Sequence, residues 1–297
     1  MFVYNKIKKL KEIKFVKDSS YTILSHFFLG ISGLLVNTIV ANYYNVESLG
    51  VLSQALAIYM ILSLFSNFGI QTSAQKHTSQ HANNRKLLEK IFSSAVFATT
   101  ISSFVVLIFF TILLVFFPKI ISSKALLEFI KIMIFGVTLF AINKTINNFL
   151  TGLREMKTYS LVRVMRWVII CLLILLIGLN NLPFKTIAYS FVVAEMIIMV
   201  FFFVKTKKLF GTIDFNWTYI HLSFGLKSIL SEVAATLNTR IPILIIGYII
   251  GNEAAGYYSY IESFAFSILM ISAAVQKNFN PVFTRLWHKN NILIKFC

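Results

Sequence analysis

Eight apolar runs decide what this chain can become: Tyr21 to Ala41, Leu49 to Phe68, Ile91 to Phe117, Leu126 to Leu150, Leu161 to Leu179, Ile187 to Val204, Leu226 to Ile250 and Gly256 to Val275. Each is close to, or longer than, the roughly 20 residues a helix needs to cross a bilayer. The runs are continuously apolar and do not alternate. That selects helices over barrel strands, since hydrocarbon satisfies no backbone hydrogen bond. Only 13% of the 297 residues are charged, against about 25% in a soluble domain. The chain therefore reads as an all-α integral membrane protein with about eight transmembrane helices.

The segments between the runs alternate in charge. Lys76, Arg85, Lys86 and Lys90 follow the second run, Arg154, Lys157, Arg163 and Arg166 the fourth, and Lys205, Lys207, Lys208 and Lys227 the sixth. Lys277, Arg285, Lys289 and Lys295 follow the eighth, and six lysines precede the first. Together these are 22 of the 28 basic residues, while the intervening connections hold only Lys119, Lys124 and Lys185. The positive-inside rule then predicts cytoplasmic N- and C-terminal segments in a multi-pass membrane protein. The net charge of +17 points to anionic membrane lipids as partners rather than to nucleic acid. Met1 to Lys17 reads either as a short amphipathic helix on the inner leaflet or as a disordered basic tail. It has no A-x-A-like cleavage site, so no cleaved signal peptide is expected.

The tip of the first hairpin returns late in the chain. Ile39 to Ser53, IVANYYNVESLGVLS, aligns with Ile245 to Ser259, IIGYIIGNEAAGYYS, at an offset of 206 positions. Glu47 falls on Glu253, Gly50 on Gly256 and Ser53 on Ser259, so the pattern E-x-x-G-x-x-S occupies the same place twice. Both copies run in the same direction, as in a repeat related by an axis along the membrane normal. The expected plan is a basic segment over 1–20, a six-helix lobe over 21–204, a cytoplasmic connection over 205–225 and a partial second lobe over 226–297. The second lobe would then hold two helices and a basic tail. On this plan the chain is either a fragment of a protein of about twelve spans or one whose missing helices come from elsewhere.

This plan resembles the polysaccharide (O-antigen) flippases of the MATE-like exporter superfamily. The resemblance is carried by the hairpin Asn37 to Gln54, by GIQTSAQKHTSQ at Gly69 to Gln80, by TGLREMKTYSLVRV at Thr151 to Val164, and by RIPILIIGYIIGNEAAGYYS at Arg240 to Ser259. It implies movement of polyisoprenyl-pyrophosphate-linked oligosaccharides from the cytoplasmic to the outer leaflet of a bacterial inner membrane by alternating access, without enzymatic chemistry or a cofactor. Other polysaccharide-assembly proteins are candidate partners.

Ionisable residues inside spans are the candidate site residues, because a charge in hydrocarbon costs several kcal/mol unless it meets water or a partner. Arg240 is the deepest cation, on one helical face with Glu232 and Thr236, and Pro242 follows it. It reads as a pyrophosphate ligand or as structural glue to Glu232, Glu262 or Glu195. Lys144, with Asn143, Asn147 and Asn148 around it, reads as a cavity lining or as a snorkelling lysine. His26 and Asn37 share a stripe with Gly30 and Gly33, where His26 is either phosphate-facing or simply packed. At the 206 offset His26 corresponds to Glu232, so the two are expected to face each other between lobes. Glu195, Glu232 and Glu262 are candidates for an ion-coupling site or for counter-charges.

Other classes fit less well. No G-x-S-x-G, H-E-x-x-H, P-loop or cysteine cluster is present, and the short outer connections leave no room for a membrane enzyme's catalytic loops. His77 and His81 have a metal-compatible spacing without a third ligand, so a solvated loop is expected there and no metal. An ion-coupled multidrug exporter would need an acidic cavity, and the first run contains no Asp or Glu. A product inactive for want of its remaining helices is the last alternative.

Overall fold

The computed structural model describes residues 2–269 apart from Ser122, with side chains from Lys17 onward, Ser19 excepted. Every long element among these residues is helical: α1 (Phe2–Tyr43), α2 (Val46–Asn67), α3 (Ile70–Gln80), α4 (Arg85–Phe116), α5 (Lys124–Gly152), α6 (Met156–Leu179), α7 (Ile187–Thr206), α8 (Phe215–Ile249) and α9 (252–269). Seven of them, α3 and α9 excepted, are long and apolar enough to cross a membrane. The eighth expected run, Gly256 to Val275, is described only as far as residue 269, within α9. Lys277, Arg285, Lys289, Lys295 and Cys297 lie outside the described residues.

Short polar residues set the helix starts. Asn45, Asn84, Ser123 and Asp214 sit at the N-caps of α2, α4, α5 and α8, each accepting a hydrogen bond from a first-turn N–H. This satisfies donors that the helix itself leaves unpaired. Three expectations need correction. The basic N-terminal segment is neither a separate helix nor a tail, because α1 continues unbroken from Phe2 into the span. His77 and His81 are not on a loop: residues 70–80 form α3, and His81 closes its C-terminus. Arg163 and Arg166 do not belong to the basic connection, since α6 begins at Met156 and carries both inside the bundle.

Within α1–α7 the closest partners are α1 with α6, α2 with α5, and α5 with α7, which makes α5 the central post. Its own Phe129 and Phe149 are fully buried, as are Phe92 of α4 and Phe202 of α7. Burial from water does not drive helices together inside lipid, so packing and interhelical hydrogen bonds decide the arrangement. Tyr59 donates to the Gly136 carbonyl at 3.0 Å, Thr145 to Asn67 Oδ1 at 3.1 Å, and Ser102 to the Ser66 carbonyl at 2.6 Å. Such bonds average roughly 0.6 kcal/mol each in a membrane. The opposite face of α4 leaves Phe104, Val105, Ile108, Phe109, Ile112, Val115 and Phe116 exposed. A continuous apolar band of this kind fits acyl chains and not water.

The basic connections gather at one end of the molecule. There Arg154 pairs with Asp18, Lys205 with Glu155, and Lys90 with Asp214. The N-terminal half of α8 is fastened to α3 and α4 at this end. His221 Nδ1 meets Ser73 Oγ at 2.9 Å, and Ser94 Oγ donates to the Asp214 carbonyl at 3.0 Å. Gly69, at φ +70, lies against Gly225, where a Cβ would stand 2.8 Å from the Gly225 Cα. At the other end the α1–α2 tip meets the α8–α9 tip.

Candidate functional site

Arg240 sits two residues before the helix-interior Pro242 of α8. Proline removes one i→i−4 hydrogen bond and kinks a helix at that point. The guanidinium lines a cavity of about 240 Å³ bordered by α1, α2, α6, α8 and α9. Asn37, Trp167, Ile243, Ser53, Ser259, Ser263, Ser267, Met60, Phe266 and Glu262 share its wall. Arg240 forms no ion pair among the described residues. Its guanidinium carbon lies 5.9 Å from the Phe266 ring centroid, and the Glu262 carboxylate is within electrostatic reach.

Four pairs of wall residues are related by the repeat. Asn37 and Ile243, Ser53 and Ser259, Leu56 and Glu262, and Met60 and Phe266 are each 206 positions apart, and all eight line the cavity. The cavity therefore lies on the axis that relates the two hairpins. Its charges break the symmetry, because Arg240 corresponds to Leu34 and Glu262 to Leu56.

Of the expected site residues, Arg240, Asn37 and Glu262 meet in this cavity, and the others do not line it. Glu195 is not the counter-charge of Arg240 or Lys144: Arg166 Nε and Nη2 donate to its carboxylate at 2.5 and 3.2 Å, and Asn143 Nδ2 at 2.9 Å. His26 and Glu232 do not face each other. His26 Nδ1 lies 2.7 Å from the Thr22 carbonyl, and its Nε2 lies 3.2 Å from Arg163 Nη1. A guanidinium only donates, so Nε2 accepts and the proton sits on Nδ1. Glu232 instead accepts from Gln71 Nε2 at 2.6 Å and Thr72 Oγ1 at 2.8 Å, across the α3–α8 contact. Lys144 faces Glu232 electrostatically from α5. Asn147 is buried with its Oδ1 unpartnered, and Asn148 donates to the Lys144 carbonyl at 2.9 Å.

The sequence reading missed Trp167, Arg166 and the serines. Trp167 is one aromatic among many in an apolar run, so nothing marks it. The Ser53/Ser259 pair did carry a signal, since it closes the repeated E-x-x-G-x-x-S pattern. Chemically, the cavity offers a cation that holds oxyanions, a carboxylate, an amide, hydroxyls and an indole face.

The model of the family described as "Polysaccharide biosynthesis protein" matches residues 15–287. The chain belongs to that family. No curated protein matches its sequence. Its fold is similar to that of the MATE multidrug transporter DinF-BH, with TM-score 0.68, 12% identity, and coverage of 91% of this chain and 64% of that one. An inward-facing MATE family multidrug resistance transporter of the MOP superfamily gives TM-score 0.62 at 15% identity, over 85% of this chain and 61% of the other. A MOP superfamily transporter from Pyrococcus furiosus gives 0.57 at 15% identity, over 89% and 70%. The family member thus has a MATE-like transporter fold and spans about two thirds of the length of these structures.

Proposed function

We propose that this family member is the membrane-embedded part of a flippase that carries polyisoprenyl-pyrophosphate-linked oligosaccharide from the cytoplasmic to the outer leaflet by alternating access. One observation carries the reading: an arginine within the apolar C-terminal part of α8, without an ion pair among the described residues, in a cavity on the repeat axis. An arginine in such a stretch is retained for a partner or a water-filled path. Guanidinium binds phosphate oxygens bidentately and keeps its charge at every physiological pH. The serine hydroxyls, Asn37 and the Trp167 ring suit a sugar attached to that phosphate. Clustering of the basic connections supports an inner-membrane protein with that end in the cytoplasm.

Expressed in a strain lacking its flippase for a matching repeat unit, the wild-type chain is expected to restore surface polysaccharide. Arg240→Ala is expected to abolish restoration at equal membrane abundance, and Arg240→Lys to restore it in part. Full restoration by Arg240→Ala rejects the cationic-cavity mechanism. A second reading, an ion-coupled multidrug exporter, draws on Glu262 in the same cavity. It predicts that cationic-dye efflux, not polysaccharide, is lost in Glu262→Gln.

A further inference from the structure

The two copies of the E-x-x-G-x-x-S pattern touch each other reciprocally. A Cβ on Gly50 would overlap the Asn252 carbonyl and stand 2.8 Å from the Gly256 nitrogen. A Cβ on Gly256 would overlap the Val46 carbonyl and stand 2.8 Å from Val46 Cγ1. At the 206 offset, Gly50 corresponds to Gly256 and Val46 to Asn252. Each glycine therefore meets the residue equivalent to the one its mate meets, as at a two-fold interface. This contact caps the cavity on the side of the Ser53/Ser259 pair, one helical turn away.

The joint between α1–α7 and α8–α9 is uneven. At the basic end it contains the Lys90–Asp214 ion pair, two bonds to Glu232, and the Ser73–His221 and Ser94–Asp214 contacts. At the glycine end the described side-chain links are Gln54 Nε2 to Asn252 Oδ1 at 2.9 Å and two marginal contacts at 3.5 Å, Asn252 to Glu47 and Thr38 to Tyr260. The glycine end holds by close backbone approach. We infer that Gly50 and Gly256 form the gate that closes the cavity at the end away from the basic connections. The gate closes by direct backbone contact between the two repeat copies. The inference rests on the transport reading and adds the element that moves. Glycine is required on both sides because a facing carbonyl, unlike a flexible side chain, has nowhere to swing.

The test measures tip separation without reference to transport. Spin labels go on Glu47→Cys and Glu253→Cys, both exposed and repeat-related, in the full chain with Cys171 and Cys297 replaced by Ser. Distances are read by pulsed electron resonance in lipid nanodiscs. The parent is expected to give a predominantly short separation. Gly50→Ala and Gly256→Ala are each expected to raise the long-separation population on the order of tenfold, an ordinary consequence of overpacking. Gly136→Ala, whose Cβ would meet neighbours no nearer than 3.5 Å, is expected to leave the distribution unchanged. Should both glycine variants fail to accumulate, Asn252→Ala removes the Gln54 link without adding volume, and a smaller rise is expected. Unchanged separations in all the variants that fold, or opening with only one of the two glycines, overturn the gate. Opening as expected in a chain that restores no polysaccharide leaves the gate standing and rejects the flippase reading instead.

Discussion

Arg166 and Glu195 show how one pair organises the interior of the bundle. With only 16% and 3% of their side chains exposed, the two charges are nearly removed from solvent. The bidentate geometry, the Asn143 amide and the Phe140 ring 4.7 Å below the guanidinium replace the lost hydration and pin α5, α6 and α7 together. Breaking a buried pair from one side costs about 3–5 kcal/mol, whereas replacing both partners by apolar residues is often neutral. Arg166→Ala and Glu195→Ala are therefore each expected to lower the melting temperature of the purified protein by many degrees. Arg166→Met combined with Glu195→Leu is expected to recover most of the loss. Single variants that melt with the wild type would show the pair to be dispensable. Glu195 is conspicuous in the sequence as an acid within an apolar run. Its partner is not, because Arg166 falls among basic residues at the start of the preceding run and counts naturally with a solvated connection.

At the scale of elements, the apolar runs mark the spans because hydrocarbon demands length and apolarity in one contiguous stretch. The short helix α3 escapes that signal, being too polar to span and too short to show a clear face. It matters nonetheless, since it holds the N-terminal half of α8. His77 presents its ring edge-on to Trp217 and Phe224, at 5.3 and 6.0 Å between centroids, with His221 at 6.1 Å. Burial, chiefly, with the neighbouring Lys76 and His81 charges, holds its pKa below the ordinary imidazole value, against a raising contribution from the Gln80 hydrogen bond. An undocked α3 takes up a proton near pH 6.5, whereas the docked one does so only at lower pH. Docking is thus complete above that value and weakens as the pH falls through the window between the two. Trp217 emission, followed from pH 8 to 5 with the other tryptophans replaced by Phe, is expected to shift below about 6.5. In His77→Gln the shift should vanish. A shift that persists in that variant would assign the titration to another group.

At the scale of the whole molecule, the repeat supplies a symmetric container and the second copy alone supplies its charge. The repeated hairpin tip is readable from a handful of spaced residues, and Arg240 is readable because a cation inside an apolar run has no ordinary reason to be there. The cavity itself is not readable. It exists because α1 and α2 come together with α8 and α9 far along the chain, with close backbone approaches at Gly50 and Gly256, and no local pattern encodes that meeting. The asymmetry makes a direct test possible. Leu56 faces the cavity at the position equivalent to Glu262. Leu56→Glu would match Glu262 across the axis by placing a second carboxylate in the cavity with Arg240. Even at a surface-like effective dielectric constant, a like charge a few ångströms from a bound anion costs on the order of a few kcal/mol. In a chain retaining Trp167 as its sole tryptophan, inorganic pyrophosphate is expected to perturb the indole emission. Leu56→Glu is expected to weaken that response at least about tenfold, while Leu56→Gln, similar in size and uncharged, leaves it nearly intact. Equal binding by the Glu and Gln variants would place the anion somewhere other than beside Arg240.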